Sequence, residues 1–116
     1  MNNFPPQRIV CLTEETVELL YLLGEEDRIV GVTGYAVRPK IVRKQKPRIS
    51  SFKSANIQKI IELKPDIVLA FSDIQSEIVA SLVKKGQSVL CFNQRDIEGI
   101  FNMIQTISSL LDIKQK

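Results

Sequence analysis

Apolar positions along this chain change period again and again. Over Asn56 to Asp73, NIQKIIELKPDIVLAFSD, the residues Ile57, Ile60 and Ile61 fall at i, i+3 and i+4, one face of a helix. Pro65 stops that period, because proline has no N–H for a helix interior. Ile67 through Phe71 then form an uninterrupted apolar run, the pattern of a strand covered on both faces, as in parallel sheets. The run leads into Ser72 and Asp73, so an aromatic and two polar side chains sit at the carboxyl end of a strand, where open α/β sheets bind their ligands.

The alternation recurs on either side. Arg8 to Leu12 predicts a strand, Thr13 an N-cap, and Glu14 and Glu15 a first helical turn whose dipole favours negative charge. That helix carries Val17, Leu19, Leu20, Leu22 and Leu23, and Gly24 is placed to end it. Arg28 to Val32 predicts the second strand, opening into Thr33, Gly34 and Tyr35. Residues 36–50 have no clean period; Pro39 and Pro47 punctuate a basic connection with a short helix expected near Ile41 to Lys44. Further on, Ile74, Ile78, Val79, Leu82 and Val83 mark a helical face closed by Lys84, Lys85 and Gly86. Ser88 to Phe92 predicts another strand, and a last helix starts near Asp96 with Ile97, Ile100, Phe101, Ile104, Ile107 and Leu111 on one stripe. Strands and helices in this order predict a single three-layer α/β/α domain with a parallel sheet built from residues near 8–12, 28–32, 67–71 and 88–92.

Composition narrows the chemistry. The chain has 116 residues, 44% hydrophobic and 25% charged, the profile of a globular domain. Its net charge of +3 is unevenly placed, since Arg38, Lys40, Arg43, Lys44, Lys46, Arg48 and Lys53 follow one another without an acid between them. The absence of histidine removes the usual general base, the Ser-His and Cys-His nucleophile pairs and the commonest zinc ligand. Cys11 and Cys91 each stand inside an apolar strand run without C-x-x-C spacing, and both are expected to be reduced and buried. No apolar run reaches the roughly 18 residues of a membrane span, so no membrane insertion is expected. MNNFPPQ is not a secretory leader, which predicts a cytoplasmic protein as given, or a periplasmic or cell-surface one if a leader was removed.

Three motifs compete for a role. Gly31-x-x-Gly34 after a strand matches neither G-x-G-x-x-G nor G-x-x-x-x-G-K-[ST], which argues against a nucleotide loop. Asp73 with Glu14 and Glu15 loosely suggests a phosphoacceptor pocket, but the last strand ends in Asn93 and Gln94, where such a pocket needs a lysine. Tyr35, Phe52 and Phe71 lie at or just beyond strand ends and, gathered at one sheet edge, would form a wall for a large, flat, partly apolar ligand.

RIVCLTEETVELLYLLGEEDRIVGVTGYAVRP, ISSFKSANIQKIIELKPDIVLAFSD and VLCFNQRDIEGI together resemble the N-terminal lobe of the vitamin B12 and ferric-siderophore class of periplasmic-type substrate-binding proteins of ABC importers. The resemblance runs from Arg8 to Asp112 and is carried best by the R-I-V-x-L opening, the L-G-x-x-D-x-I-V-G-V segment and the L-K-P-D-I-V-L-A segment. It implies one lobe of a two-lobe binding protein joined by a linking helix, with the second lobe and that helix outside residues 1–116. It implies capture of a corrinoid or iron chelate, with cobalamin or a ferric siderophore as ligand, no resident cofactor or metal and no enzyme chemistry. Tyr35, Phe52, Phe71 and Asp73 become the ligand-binding residues. Gln58 stands where the class usually has a glutamate that docks on an arginine of the permease, and a neutral amide cannot form that charge-assisted pair. Val17 likewise replaces a common threonine.

The alternative reading is a stand-alone flavodoxin-like regulatory or interaction domain that meets an acidic partner or nucleic acid through residues 38–53. The resemblance itself favours a small-molecule ligand and no nucleic acid. An apolar face around Leu110, Leu111 and Ile113 is expected to remain exposed and to support a homodimer.

Overall fold

The structure, a computed structural model, describes residues 5–33, 45–46, 48–50, 56–71, 75–93 and 96–112. Five strands, β1 (Ile9–Cys11), β2 (Ile29–Thr33), β3 (Arg48–Ser50), β4 (Ile67–Phe71) and β5 (Val89–Phe92), form one all-parallel sheet in the order β3-β2-β1-β4-β5. Among the described residues four α-helices accompany it, α1 (Glu14–Leu22), α2 (Ile57–Glu62), α3 (Ser76–Lys84) and α4 (Ile97–Leu110), with a 3-10 turn at Glu26–Arg28. All four predicted strands are present and parallel. The fifth, β3, lies in the basic connection and pairs Arg48 with Val32 and Ser50 with Thr33.

Alternation along the central strands divides the core in two. Ile9, Cys11 and Leu69 point to one face and pack with Val17 and Leu20 of α1 and Met103 and Ile107 of α4. Val10, Leu12, Val68 and Ala70 point to the other and pack with Ile60 of α2 and Ile78 and Leu82 of α3. β1 and β4 are therefore covered on both faces, which is why they read as continuous apolar runs. Each fully buried side chain of this kind contributes roughly 1.5–3 kcal/mol before entropy is subtracted.

Caps set the element ends. The Thr13, Asn56 and Asp96 side chains accept from Thr16, Lys59 and Gly99 N–H groups at the starts of α1, α2 and α4. At the end of α1, Glu25 N–H reaches Leu20 C=O at 2.8 Å and Gly24 N–H reaches Tyr21 C=O at 3.1 Å, with Gly24 at φ +74. Gly86, at φ +85, ends α3 by the same pair of reversed bonds. After α2 the left-handed position falls instead on Lys64, at φ 52.

The amino edge of the sheet is tied by charge. The buried Asp66 carboxylate accepts the Gln7 and Arg8 N–H groups at 2.9 and 3.0 Å, and Arg8 in turn donates to Leu63 C=O at the end of α2. Arg28 pairs with Glu25 at 2.8 Å and donates one guanidinium nitrogen to both Pro6 C=O and Leu111 C=O.

Several burial expectations are corrected. Cys11 is buried, but Cys91 is exposed, because it lies on the edge strand β5 and faces away from the α1–α4 side that holds Leu90 and Phe92. The inward stripe of α4 is Met103, Ile107 and Leu111, four residues apart, so Ile97, Ile100 and Phe101 turn outward. Leu111 is 1% exposed, whereas Ile97 is 72% exposed, which moves the uncovered apolar surface from the end of the helix to its start. Leu22 and Val83 are also exposed, each on the outer side of its helix. Ile74, Ile113 and the short helix expected near residues 41–44 lie outside the described residues.

Glycine and lysine at the two left-handed positions give opposite expectations. A Cβ at Gly24 meets nothing within 4 Å, so Gly24→Ala carries the conformational penalty alone and lowers unfolding free energy by about 1 kcal/mol in urea. Lys64→Gly relieves the same strain and raises it by up to about 1 kcal/mol. The two cysteines should also separate. Burial pushes the Cys11 thiol up to about 12, against a smaller opposing hydrogen bond from Thr16, so it stays a protonated thiol at neutral pH. An aqueous thiol reagent should label Cys91 promptly in the native protein and Cys11 only on unfolding; prompt labelling of both would contradict the burial.

Candidate ligand-binding site

The strand order reverses between β1 and β4. From β1 the chain passes through α1 on one face to β2, while from β4 it passes through α3 on the other face to β5. The carboxyl ends of β1 and β4 therefore feed connections that diverge, and a crevice opens between them at the topological switch point. This is the candidate site: Leu12 and Thr13 follow β1 there, and Phe71 and Gln75 stand at the end of β4 and the start of α3.

Thr13 ends β1 and caps α1. Its Oγ1 accepts from Thr16 N–H at 3.4 Å and lies 2.9 Å from Thr16 Oγ1, which also donates to Thr13 C=O at 3.0 Å. Both threonines are buried, so these bonds are shielded and the first turn of α1 is fixed against the sheet. Glu14 and Glu15 follow in that turn.

Phe71 closes β4. It is half-buried and turns toward α1 and α4, where it joins Leu19, Leu22, Ile100, Met103 and Ile104 in a groove of about 390 Å³ that Glu15 and Glu18 also line. An aromatic face in such a groove suits an apolar or flat ligand surface, and the glutamates give it a negative flank. Among the other expected ligand residues, Tyr35, Phe52 and Asp73 lie outside the described residues, so of that set the structure places Phe71 alone. The phosphoacceptor grouping of Asp73 with Glu14 and Glu15 shares that boundary. Among the described residues no cluster of three metal-ligating acids, cysteines or histidines occurs.

Gln75 was not singled out by sequence reasoning. It is fully buried, its Oε1 accepts from Phe71 N–H at 2.9 Å, and its Nε2 donates to Leu12 C=O at 3.0 Å. The available signal was slight: a glutamine stands at the N-cap position of α3, where Ser, Thr, Asp or Asn would be usual, and its side chain makes no capping bond there.

Gln58 is exposed on the first turn of α2, on the side opposite the α1–α4 groove. Of the basic run, Lys46 is committed to structure, donating to Glu26 C=O at 2.7 Å. Residues 38–44 and Lys53 lie outside the described residues. No helix among the described residues is long and apolar enough to cross a membrane.

A periplasmic binding protein profile matches residues 9–116, almost the whole chain. The chain belongs to the periplasmic binding protein family. Within that family it is 33% identical over 106 residues to an uncharacterized ABC transporter substrate-binding lipoprotein, YvrC, of Bacillus subtilis, in a match that covers 88% of this chain and 33% of the relative. Among solved structures it superimposes on the periplasmic vitamin B12-binding protein of Vibrio cholerae with a TM-score of 0.83 and 27% identity, over 93% of this chain and 43% of that one. A possible iron-binding periplasmic solute-binding protein of Staphylococcus epidermidis gives a TM-score of 0.83 at 29% identity, over 93% of this chain and 42% of that one. The chain thus spans between a third and about two fifths of these family members, and its sheet and flanking helices are theirs.

The threonine pair at the end of β1 is testable as a unit. Thr13→Ala should cost about 1 kcal/mol of unfolding free energy through the lost cap, and Thr16→Val about the same through its buried hydroxyl. Because the two hydroxyls share a bond, the double variant should fall short of the sum by about 0.5 kcal/mol or more. Strict additivity in a urea double-mutant cycle would show that the shared bond carries no energy.

Proposed function

We propose that this chain is the N-terminal substrate-binding lobe of an ABC-type importer's binding protein and that it captures a corrinoid or an iron chelate without making or breaking bonds. The observation that carries the reading is the superposition of 93% of the chain on a vitamin B12-binding protein at 27% identity. The crevice at the β1/β4 switch point supports it, because that is where a parallel sheet offers diverging strand ends to a ligand. In this reading Phe71, with Tyr35, Phe52 and Asp73, contacts the ligand, the second lobe and linking helix belong to chain beyond these 116 residues, and the role is that of a carrier rather than an enzyme.

Gln58 bears on delivery. Its exposure on α2 leaves it accessible to a permease, yet an amide meets an arginine with a neutral hydrogen bond instead of a charge-assisted one, worth about half as much. Docking through this position is correspondingly weak, and Gln58→Glu should strengthen it.

One lobe leaves one face of its ligand in water. If a two-lobe protein binds at about −11 kcal/mol and a single lobe keeps half, the dissociation constant falls on the order of 0.1 mM. Titration of cyanocobalamin, followed by calorimetry or amide shifts, should give saturable binding in that range, and Phe71→Ala should weaken it about fivefold, the equivalent of about 1 kcal/mol. If cyanocobalamin, haemin and a ferric siderophore all fail to produce a saturable signal at millimolar concentration, the reading is wrong.

A further inference from the structure

In a parallel pair, every second residue of one strand both donates to and accepts from the residues flanking its partner. β1 and β4 follow that rule with Cys11 opposite Leu69 and with Leu12 N–H donating to Leu69 C=O at 2.9 Å. The next rung in this register would run from Phe71 N–H to Leu12 C=O. Both groups are instead bonded to one side chain: Phe71 N–H donates to Gln75 Oε1 at 2.9 Å, and Gln75 Nε2 donates to Leu12 C=O at 3.0 Å. A glutamine amide carries one acceptor and two donors on a single plane, so it can stand in for a peptide unit inserted into the ladder.

We propose that Gln75 is a positioning residue that holds β1 and β4 apart at the switch point and so sets the width of the crevice and the placement of Phe71. A rung that would otherwise be one hydrogen bond long becomes two hydrogen bonds joined by an amide about 2 Å across from oxygen to nitrogen, so Phe71 N–H and Leu12 C=O stand further apart than a direct bond would hold them. The side chain is 0% exposed, so an interior that excludes water enforces both bonds. Its backbone opens α3 while its side chain points back to the sheet, which ties the β4–α3 connection to the end of β1. The same turn of β1 is fixed on its other side by the Thr13 and Thr16 pair. The wedge therefore acts on the two strand ends that diverge to opposite faces. Its bearing on ligand rests on the reading under Proposed function; its bearing on the strand ends does not.

Gln75→Met keeps the length of the side chain and removes both bonds. The Phe71 amide proton should shift upfield, and its hydrogen exchange should accelerate about tenfold beyond any change at Val68, whose N–H is bonded to Ser88 C=O in the next pair. Cyanocobalamin binding should weaken by up to about fivefold, the loss expected of Phe71→Ala. Because the effect passes through Phe71, Gln75→Met in a Phe71→Ala background should weaken it far less. Gln75→Glu keeps the acceptor and, with its carboxyl ionised at raised pH, loses the donor, so under those conditions the Phe71 proton shift should persist while the Thr13 nitrogen, in the peptide of Leu12 C=O, shifts. This variant retains the decision if Gln75→Met does not fold. Unchanged Phe71 shift and protection in Gln75→Met, unchanged Thr13 nitrogen in Gln75→Glu, or fully additive losses with Phe71→Ala would each overturn the wedge. Failure of the wild type to bind cyanocobalamin counts against the proposed ligand class, and the amide measurements then decide the wedge by themselves.

Discussion

A parallel sheet cannot close its strands with tight turns, and every connection must cross a face of the sheet to bring the chain back to the starting edge. Here that constraint makes β1 and β4 the centre of the molecule. They are flanked by strands on both sides and by helices on both faces, and their side chains supply much of both apolar clusters. Once the path turns outward from them in two directions, α1 and α4 must lie on one face and α2 and α3 on the other. The crevice at the carboxyl ends is then a by-product of topology, not of any one loop.

The two edges of the sheet are built by different chemistry. At the amino edge the work is done by ions: Asp66 gathers two backbone N–H groups, Arg8 caps the end of α2, and Arg28 holds backbone carbonyls from both ends of the described chain. At the carboxyl edge the central strand ends are joined through neutral hydroxyl and amide groups, Thr13, Thr16 and Gln75, with the acids of α1 facing outward beside them. Neutral groups hold the geometry of these strand ends without adding a fixed charge of their own. The L-K-P-D segment that marks the family in sequence thus belongs to the scaffold edge: Pro65 and Asp66 are both buried there, away from the crevice.

How much of this was legible depended on the range of the forces involved. Period changes exposed β1, β2 and β4 because burial leaves a continuous apolar run, and β5 because its run is apolar although only partly covered. Thr13, Asn56 and Asp96 were readable or nearly so because a cap acts within three residues. β3 was missed because three residues, only one of them apolar, carry too little pattern, and its pairing depends on β2 rather than on itself. Cys91 misled because strand periodicity says which face a residue takes but not whether a helix covers that face at the sheet's edge. On α4 the apolar positions outnumber those the sheet can cover, so Met103 took a place the isoleucines were expected to hold. Gln75 was invisible for the opposite reason: its partners, Leu12 and Phe71, become neighbours only after the sheet has formed. Of the site residues, only Phe71 can be placed against the groove, and it came from the same apolar run that identified β4.

The Arg28 guanidinium has a consequence for how the chain could be rewired. One of its nitrogens reaches Pro6 C=O at 3.3 Å and Leu111 C=O at 3.0 Å, so the two extremities of the described chain meet at a single cation, 105 positions apart in sequence and adjacent in space. A domain with its extremities so placed is suited to circular permutation, because a short bridge there would close the backbone on the scaffold edge and leave the crevice edge untouched. New ends could then be opened at an exposed position such as Gly86, and the order of strands along the chain would change while their order in the sheet did not.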